Sequence, residues 1–388
     1  MAPKSVKSSN VPNLRFPGFS DPWIKAKLGD IAEKINSGKT PLGGESNYLT
    51  EGVLFVRSQN VNNDRLELEN IVYISENVNA GMKNSVVRAN DILLNITGAS
   101  LGRSCVVPED FEKGNVNQHV CIIRPRKQYN PRFIQPILGS TRGQAIFESL
   151  QTGSGREGLN FDSIKKIELD FPSLPEQEKI ADFLSLIDRR IQTQNKIIEE
   201  LKLLKNTIRY RIFQQICNDG NKFVEIRNIL DYEQPNKYLV TNTEYSSDNS
   251  LTPVLTANKA FVLGYTNENY GIYNKKECII FDDFTLDTKF VNFPFKVKSS
   301  AIKILTPKPN VNLKFISEYL SFLDLSSTEH KRHYISEIEL MEIALPDYTR
   351  QKQIATVLSR IDEKIKTESG IYALLINQKQ YLLQNLFI

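Results

Sequence analysis

Several stretches of this sequence carry side chains that match known binding chemistry in type, and most fail on spacing or context. Gly153 to Gly158 reads Gly-Ser-Gly-Arg-Glu-Gly, the spacing that cradles a pyrophosphate at a helix start. No apolar strand precedes it, so a turn is the better reading. Ser37-Gly38-Lys39-Thr40 resembles the end of a phosphate-binding loop, but Glu33 stands where its first glycine belongs. The histidines are His119, His330 and His333, and the His330/His333 pair lacks the glutamate of a zinc-protease helix. Asp282 and Asp283 close an apolar run, Ile279-Ile280-Phe281. Without a third carboxylate they make a poor metal site, whereas either acid can accept a hydrogen bond from a cytosine amino group. Cys105, Cys121, Cys217 and Cys278 form no Cys-x-x-Cys pair, which predicts neither zinc nor disulfides. No nucleophile elbow is present, and these patterns together predict no catalytic residue, bound metal or cofactor.

A different chemistry is concentrated in the loops. Arg57-Ser58-Gln59-Asn60, Asn95 to Ser100 with Arg103, Asn115 to His119, and Gly153 to Asn160 with Arg156 are rich in amide, hydroxyl and guanidinium groups. Asn and Gln can pair with adenine through two hydrogen bonds and Arg with guanine, each good pair discriminating by about 1–3 kcal/mol. Lys39, Thr40, Arg57, Ser58, Gln59, Asn60, Asn95, Thr97, Arg103, Asn117, Gln118 and Arg156 are therefore candidate nucleic-acid contacts in the first half of the chain. Lys259, Asp282, Asp283, Lys289, Lys298, Lys331 and Arg332 are the candidates in the second. Ordinary loop polarity explains the same residues, so composition alone does not decide.

What must hold these loops is a duplicated framework. Phe171 opens the segment FPSLPEQEKIADFLSLIDRRIQ, and Leu345 opens LPDYTRQKQIATVLSRIDEKIK. Pro172/Pro346, Gln177/Gln351, Ile180/Ile354, Ala181/Ala355, Leu184/Leu358, Ser185/Ser359, Ile187/Ile361, Asp188/Asp362 and Ile191/Ile365 are identical at one constant offset of 174. So many ungapped identities indicate duplication. Each copy opens a long helix. Ser173 with Glu176 fits a capping box, and Asp347 takes the cap position in the second copy.

Beyond the caps, apolar residues recur in 4-3 spacing at Ile180, Leu184, Ile187, Ile191, Ile198, Leu201, Ile208 and Ile212. They recur again at Ile354, Leu358, Ile361, Ile365, Tyr372, Leu375, Leu382 and Leu386. Polar Gln194 and Lys205 interrupt the first seam, and Glu368 and Lys379 interrupt the second at the same places. Two matching seams predict an antiparallel two-stranded coiled coil. The first seam rises roughly 50 Å at about 1.5 Å per residue. Gly370 in the second helix suggests a bend or a close approach.

Ahead of each helix, short β-like runs alternate with polar loops: Val53 to Arg57, Ile71 to Ile74, Asp91 to Ile96 and Val120 to Arg124, then Val254 to Thr256, Cys278 to Phe281 and Ala301 to Leu305. Helices follow Asn130 and start near Leu313. Asn130/Asn312, Phe133/Phe315, Ile134/Ile316 and Leu138/Leu320 align at an offset of 182, so the second part has lost residues before its long helix. The fold expected is α+β: two similar globular domains separated by two long antiparallel coiled-coil helices, a pseudo-twofold repeat. The boundaries expected are 1–23 for a lead-in, 24–170 and 218–344 for the globular domains, and 171–217 and 345–388 for the helices.

Length and composition agree. At 388 residues the chain is too long for one ordinary domain. Its hydrophobic share of 40% and charged share of 24% are those of a folded protein. No apolar run approaches the roughly 18 residues of a membrane span, and the basic opening MAPKSVKSSN lacks a secretory core, so a cytoplasmic protein without membrane contact is expected. A net charge of +4 permits a polyanionic partner and predicts weak DNA affinity for the isolated chain.

The arrangement resembles the DNA-specificity subunits of type I restriction-modification systems over nearly its whole length. The resemblance rests on LGDIAEKINSGKTP at Leu28, FVRSQNV at Phe55, DILLNITGASLGR at Asp91, GLNFDSIKKIELDFPSLPEQEKIADFLSLID at Gly158 and RQKQIATVLSRID at Arg350. Leu14 to Phe19 with Trp23 also looks like the family's lead-in. The resemblance implies a non-catalytic subunit with two target recognition domains. Each would read one half of an asymmetric bipartite double-stranded DNA site, with the helices setting the gap between halves. It further implies two modification subunits carrying S-adenosylmethionine, and restriction subunits using ATP and magnesium. The competing reading is a coiled-coil protein-interaction scaffold with ligand-binding globular ends.

Overall fold

The computed structural model describes residues 11–41, 43–62, 64–151, 158–256, 261–326 and 331–388. The chain divides into two units, Met1–Gln194 with Ile371–Ile388 and Asn195–Gly370.

Unit 1 runs through β1 (Ile24–Lys27), α1 (Leu28–Ile31), β2 (Ala32–Ser37), β3 (Val53–Val56), β4 (Val61–Asn62), β5 (Arg65–Leu66) and β6 (Val72–Ile74). It continues through α2 (Glu76–Ala80), β7 (Val86–Val87), β8 (Ile92–Asn95), β9 (Ser104–Val106), β10 (Gly114–Val116) and β11 (Val120–Pro125). Then come α3 (Pro131–Gly139), α4 (Thr141–Leu150), α5 (Phe161–Lys166), β12 (Glu168–Phe171) and the start of α6 (Leu174–Asn218). One sheet has the order β2-β11-β8-β9 and is antiparallel throughout. A second has the order β6-β3-β10-β7, with β3 and β10 parallel. β1 closes the unit by pairing with β12, Ile24 opposite Phe171.

Unit 2 repeats this wiring. Its elements are the end of α6, β13 (Lys222–Glu225), β14 (Leu230–Glu233), β15 (Thr252–Leu255), β16 (Val262–Thr266), β17 (Cys278–Asp282) and β18 (Thr288–Val291). They continue with β19 (Lys296–Val297), β20 (Ile302–Pro307), α7 (Leu313–Leu323), β21 (Glu342–Leu345) and α8 (Tyr348–Asn385). The sheet β14-β20-β17-β18 matches the first sheet strand for strand, and the three-stranded sheet β16-β15-β19 keeps the parallel pair, β15 with the edge strand β19. β13 pairs with β21 as β1 does with β12. The second copy is 8 residues shorter here and shows no counterpart of α4 among the described residues, while the 3-10 turn Ile338–Leu340 takes the place of α5, Ile338 matching Ile164 at the 174 offset.

The identities shared by the copies are structural joints. Gln177 Oε1 accepts from the Asn130 amide at 2.9 Å and its Nε2 donates to the Pro172 carbonyl at 3.0 Å. Gln351 does the same with Asn312 and Pro346 at 2.9 and 2.8 Å. Asn130 and Asn312 cap α3 and α7, so each glutamine ties a helix cap to the start of a long helix. The cap of α8 is as expected, Asp347 Oδ1 accepting from Arg350 N at 3.0 Å. At α6 the expected box gives way to another bond: the buried Glu176 carboxylate takes a bidentate pair from Arg15, both at 2.8 Å. A guanidinium fork outcompetes a backbone amide for a carboxylate.

Packing divides the chain differently from the ends of its elements at 170, 217 and 344. The lead-in belongs to unit 1, where Trp23 is buried against Phe133 and where Leu14 and Phe16 pack on the core. The unit boundaries fall inside the helices, so early turns of α6 share a unit with late turns of α8, and late turns of α6 with early turns of α8. In unit 1, Ile180, Leu184 and Ile187 join Leu382, Leu386 and Phe387 in the same core as Ile134 and Leu169. In unit 2, Phe213 and Ile216 join Ile354 and Leu358. Every residue of both seams is buried or half-buried. A Cβ added at Gly370 would meet nothing within 4 Å, so no close approach explains this glycine.

The polar interruptions are paired. Lys379 Nζ bonds Asp188 at 2.7 Å and also Asp64 from the β4–β5 ribbon. At the equivalent place in unit 2, Lys205 bonds Asp362 at 2.6 Å and Glu318 of α7 at 2.9 Å. Each seam lysine thus ties its partner helix to its own globular domain, which specifies register more than it adds stability.

Candidate nucleic-acid interface

In unit 1 the candidate loops converge at one end of the first sheet. Asn95 ends β8 fully buried. Its Nδ2 donates to the Ser58 carbonyl at 2.8 Å and to Ser100 Oγ at 3.1 Å, tying two loops together. Asn60, also buried, accepts from the Arg57 amide at 3.0 Å and donates to the Glu67 carbonyl at 3.1 Å. Asn117 is buried and accepts from the His119 amide at 3.0 Å. These three, expected as contacts, are corrected to struts: each bonds backbone groups of its own loops, and burial removes their side chains from any base edge.

What the struts hold is exposed. Ser58, Gln59, Thr97 and Arg103 line one open cavity of about 430 Å³ together with Gly98, Ala99, Ser100 and His119. Beside it Thr40 donates to Gln118 Oε1, and Gln118 Nε2 lies 3.0 Å from His119 Nε2. His119 Nδ1 lies 2.6 Å from Thr97 Oγ1. Gly38 makes this possible: a Cβ there would meet the Val116 carbonyl at 1.5 Å, so only glycine lets the segment after β2 that carries Lys39 and Thr40 reach the 117–119 turn. Lys39 is exposed, and Arg57 lies 5.5 Å from the Tyr48 ring centre. Thr97 bridges Gly158, and Gly153–Glu157 with Arg156 lie outside the described residues.

In unit 2 the matching end is built from charges. Asp282, buried, accepts from the Phe284 and Thr285 amides at 3.0 Å each. Asp283, also buried, pairs with buried Lys303 at 3.3 Å and accepts from the Tyr334 amide at 2.8 Å. Both acids, candidate DNA contacts from the sequence, are corrected to internal partners. Buried Lys296 pairs with Glu268 at 2.7 Å and lies 4.4 Å from the Tyr270 ring centre. Burial pushes the Glu268 carboxyl up, but Lys296 and donors from Thr241 and Asn242 outweigh it and hold it at about 2. Lys289, Lys298, Lys331 and Arg332 are exposed, Lys331 pairing with Glu337 at 2.8 Å. Lys259 and His330 lie outside the described residues. His333 is buried, 2.9 Å from Glu337. Sequence reasoning put His119 in a polar loop without giving it a role and passed over Lys296 and Glu268, since a lone histidine and a buried ion pair leave no spacing signal.

Residues 20–203 and 215–376 match the family model described as the type I restriction modification DNA specificity domain. The chain belongs to that family. It is 44% identical to the EcoR124I/EcoR124II specificity subunit of Escherichia coli over 131 residues, about a third of each chain (32%). It is 21% identical to the putative MjaX specificity subunit of Methanocaldococcus jannaschii, covering 93% of this chain and 91% of that one. Its fold is similar to that of a type I restriction-modification S subunit from M. genitalium, with a TM-score of 0.64 at 15% identity over 97% of this chain and 99% of that one. As a member of this family it carries the specificity domain twice, which is the α+β duplication seen in the two units. Among the described residues no helix is long and apolar enough to cross a membrane, and no cluster of three or more metal-ligating side chains is present.

Proposed function

We propose that this chain is the sequence-reading subunit of a type I restriction-modification complex, each unit reading one half of an asymmetric bipartite target in double-stranded DNA. The observation that carries the reading is one wiring present twice with unlike polar ends: amides, hydroxyls and an imidazole in unit 1, paired charges and tyrosines in unit 2. In unit 1 the contacts are Lys39, Thr40, Arg57, Ser58, Gln59, Thr97, Arg103 and Gln118, around a cavity able to take the edge of a base. In unit 2, Lys289, Lys298, Lys331 and Arg332 hold phosphates.

On this reading the helices set the number of unread base pairs between the halves and receive two modification subunits. S-adenosylmethionine, ATP and magnesium belong to the modification and restriction subunits, and the complex works in the cytoplasm. The alternative, a protein-interaction scaffold, gains nothing from a family match that spans both units. The test mixes the full chain with its modification subunit and selects from a random duplex pool. Enrichment of two unlike short motifs at a fixed gap is expected; a pool that stays random after selection sinks the reading.

A further inference from the structure

Gln118 and His119 sit in one chain of hydrogen bonds that runs from Thr40 to Thr97, and the placement of the Gln118 amide gives the chain its direction. An amide nitrogen has no lone pair to offer, so Gln118 Nε2, 3.0 Å from His119 Nε2, must donate and the imidazole nitrogen must accept. The imidazole proton then sits on Nδ1 and is donated to Thr97 Oγ1 at 2.6 Å. At the other end, Gln118 Oε1 accepts from the Thr40 hydroxyl. Backbone bonds fix the frame: His119 O accepts from Ile96 N at 3.0 Å, and Gly38 N donates to Asn117 O at 3.1 Å. The exposed amide of Gln118 is therefore held at both ends, by Thr40 and by His119. It retains one N–H and one oxygen lone pair, the donor–acceptor couple that the major-groove edge of adenine takes.

We propose that Gln118 is a specificity-determining residue of unit 1, reading an adenine in its half of the target, and that His119 is the positioning residue that fixes which end of the amide donates. A glutamine turning freely would offer donor and acceptor in either order and discriminate poorly. This inference rests on the DNA-reading function proposed above.

The test uses the full chain with its modification subunit and a random duplex selection, comparing Gln118→Ala, His119→Ala, His119→Gln and the double variant Gln118→Ala/His119→Ala. Gln118→Ala should lower the preference at one base pair of one half-site by roughly 5- to 150-fold, the range of a good base pair contact. His119→Ala should relax the same base pair, and the double variant should do no more than either single change. His119→Gln, whose oxygen can accept in place of Nε2, should retain the preference, and the other half-site should not move in any variant. His119→Ala weakening all sequences alike, or His119→Gln relaxing the base pair as fully as His119→Ala, would overturn the positioning role. A Gln118→Ala variant with every base preference intact would overturn the inference whole. A wild-type complex that enriches no sequence sinks the functional reading, and this inference with it.

Discussion

At the end of β8 in unit 1, Asn95 stands opposite Val120. At the end of β17 in unit 2, Asp282 stands opposite Ile302. In each unit the next residue's amide reaches across at 3.0 Å, from Ile96 to the His119 carbonyl and from Asp283 to the Ala301 carbonyl. The two turns thus enter the next strand alike, Asn117-Gln118-His119 in one standing where Ser299-Ser300-Ala301 stand in the other, although unit 2 has one residue more between its strands, 298–301 against 117–119. Unit 2 has no imidazole–amide chain there, and its polarity sits instead in Lys303–Asp283 and Lys296–Glu268. Main-chain hydrogen bonds and the two glutamine joints suffice to hold the framework, which frees the side chains at its tips to differ. That is what a reader of two unlike half-sites needs.

The seam lysines make a second comparison. Among the described residues Lys379 is the one cation paired with Asp64 and Asp188, whereas Glu318 and Asp362 in unit 2 have Lys205, Lys314 and Arg209 around them. Burial pushes the Asp188 carboxyl up more than Lys379 draws it down. Glu318 is pushed up by burial too, but Lys314 and Lys205 outweigh this and hold it at about 2.

The largest expected effect tests the first comparison. Exchanging roughly residues 224–336 for the corresponding segment of another family member should replace one half of the methylated motif completely and leave the other intact. Methylation mapping of the host reads this, and change in both halves would break the two-reader comparison.

Next, Lys379→Met takes the lysine from half-buried Asp188 and from exposed Asp64, which keeps its bond from Gln135, and should cost about 1.5–3 kcal/mol, the range for a charged hydrogen bond. Lys205→Met leaves Lys314 and Arg209 on the same carboxylates and should cost less, about 0.5–1.5 kcal/mol. The single tryptophan, Trp23, is buried in unit 1, so its fluorescence in urea reports that unit, while circular dichroism reports both. Equal costs would remove the asymmetry.

The smallest effect is acid sensitivity. A carboxyl held below its ordinary range stabilises above that range, so the contribution of Glu318 should be lost as the pH falls from about 4.5 toward 2, by on the order of 2–3 kcal/mol. Asp188, raised in the folded state, has the opposite sign and gains relative stability on protonation. Urea midpoints at pH 6 and pH 3.5 should therefore show unit 2 losing more than the unit 1 transition seen by Trp23, and Glu318→Gln should erase much of the difference.

The duplication, the long helices, their heptad seams and the strands at Val53, Val120, Cys278 and Ile302 were legible in the residues themselves, because apolar period and repeated wording are local signals. So was the clustering of amides in loops. What tertiary structure alone decided is which of those amides face outward. Asn60, Asn95 and Asn117 look no different in the sequence from Gln59 or Gln118, yet pairing across strands turns the first three inward onto backbone groups. Strand pairing also placed Thr40 and Thr97 against residues 118 and 119, far along the chain, and carried Lys205 and Lys379 to their carboxylates. A buried polar group must find a partner, and which partner lies within reach is set by the packed backbone rather than by residue type.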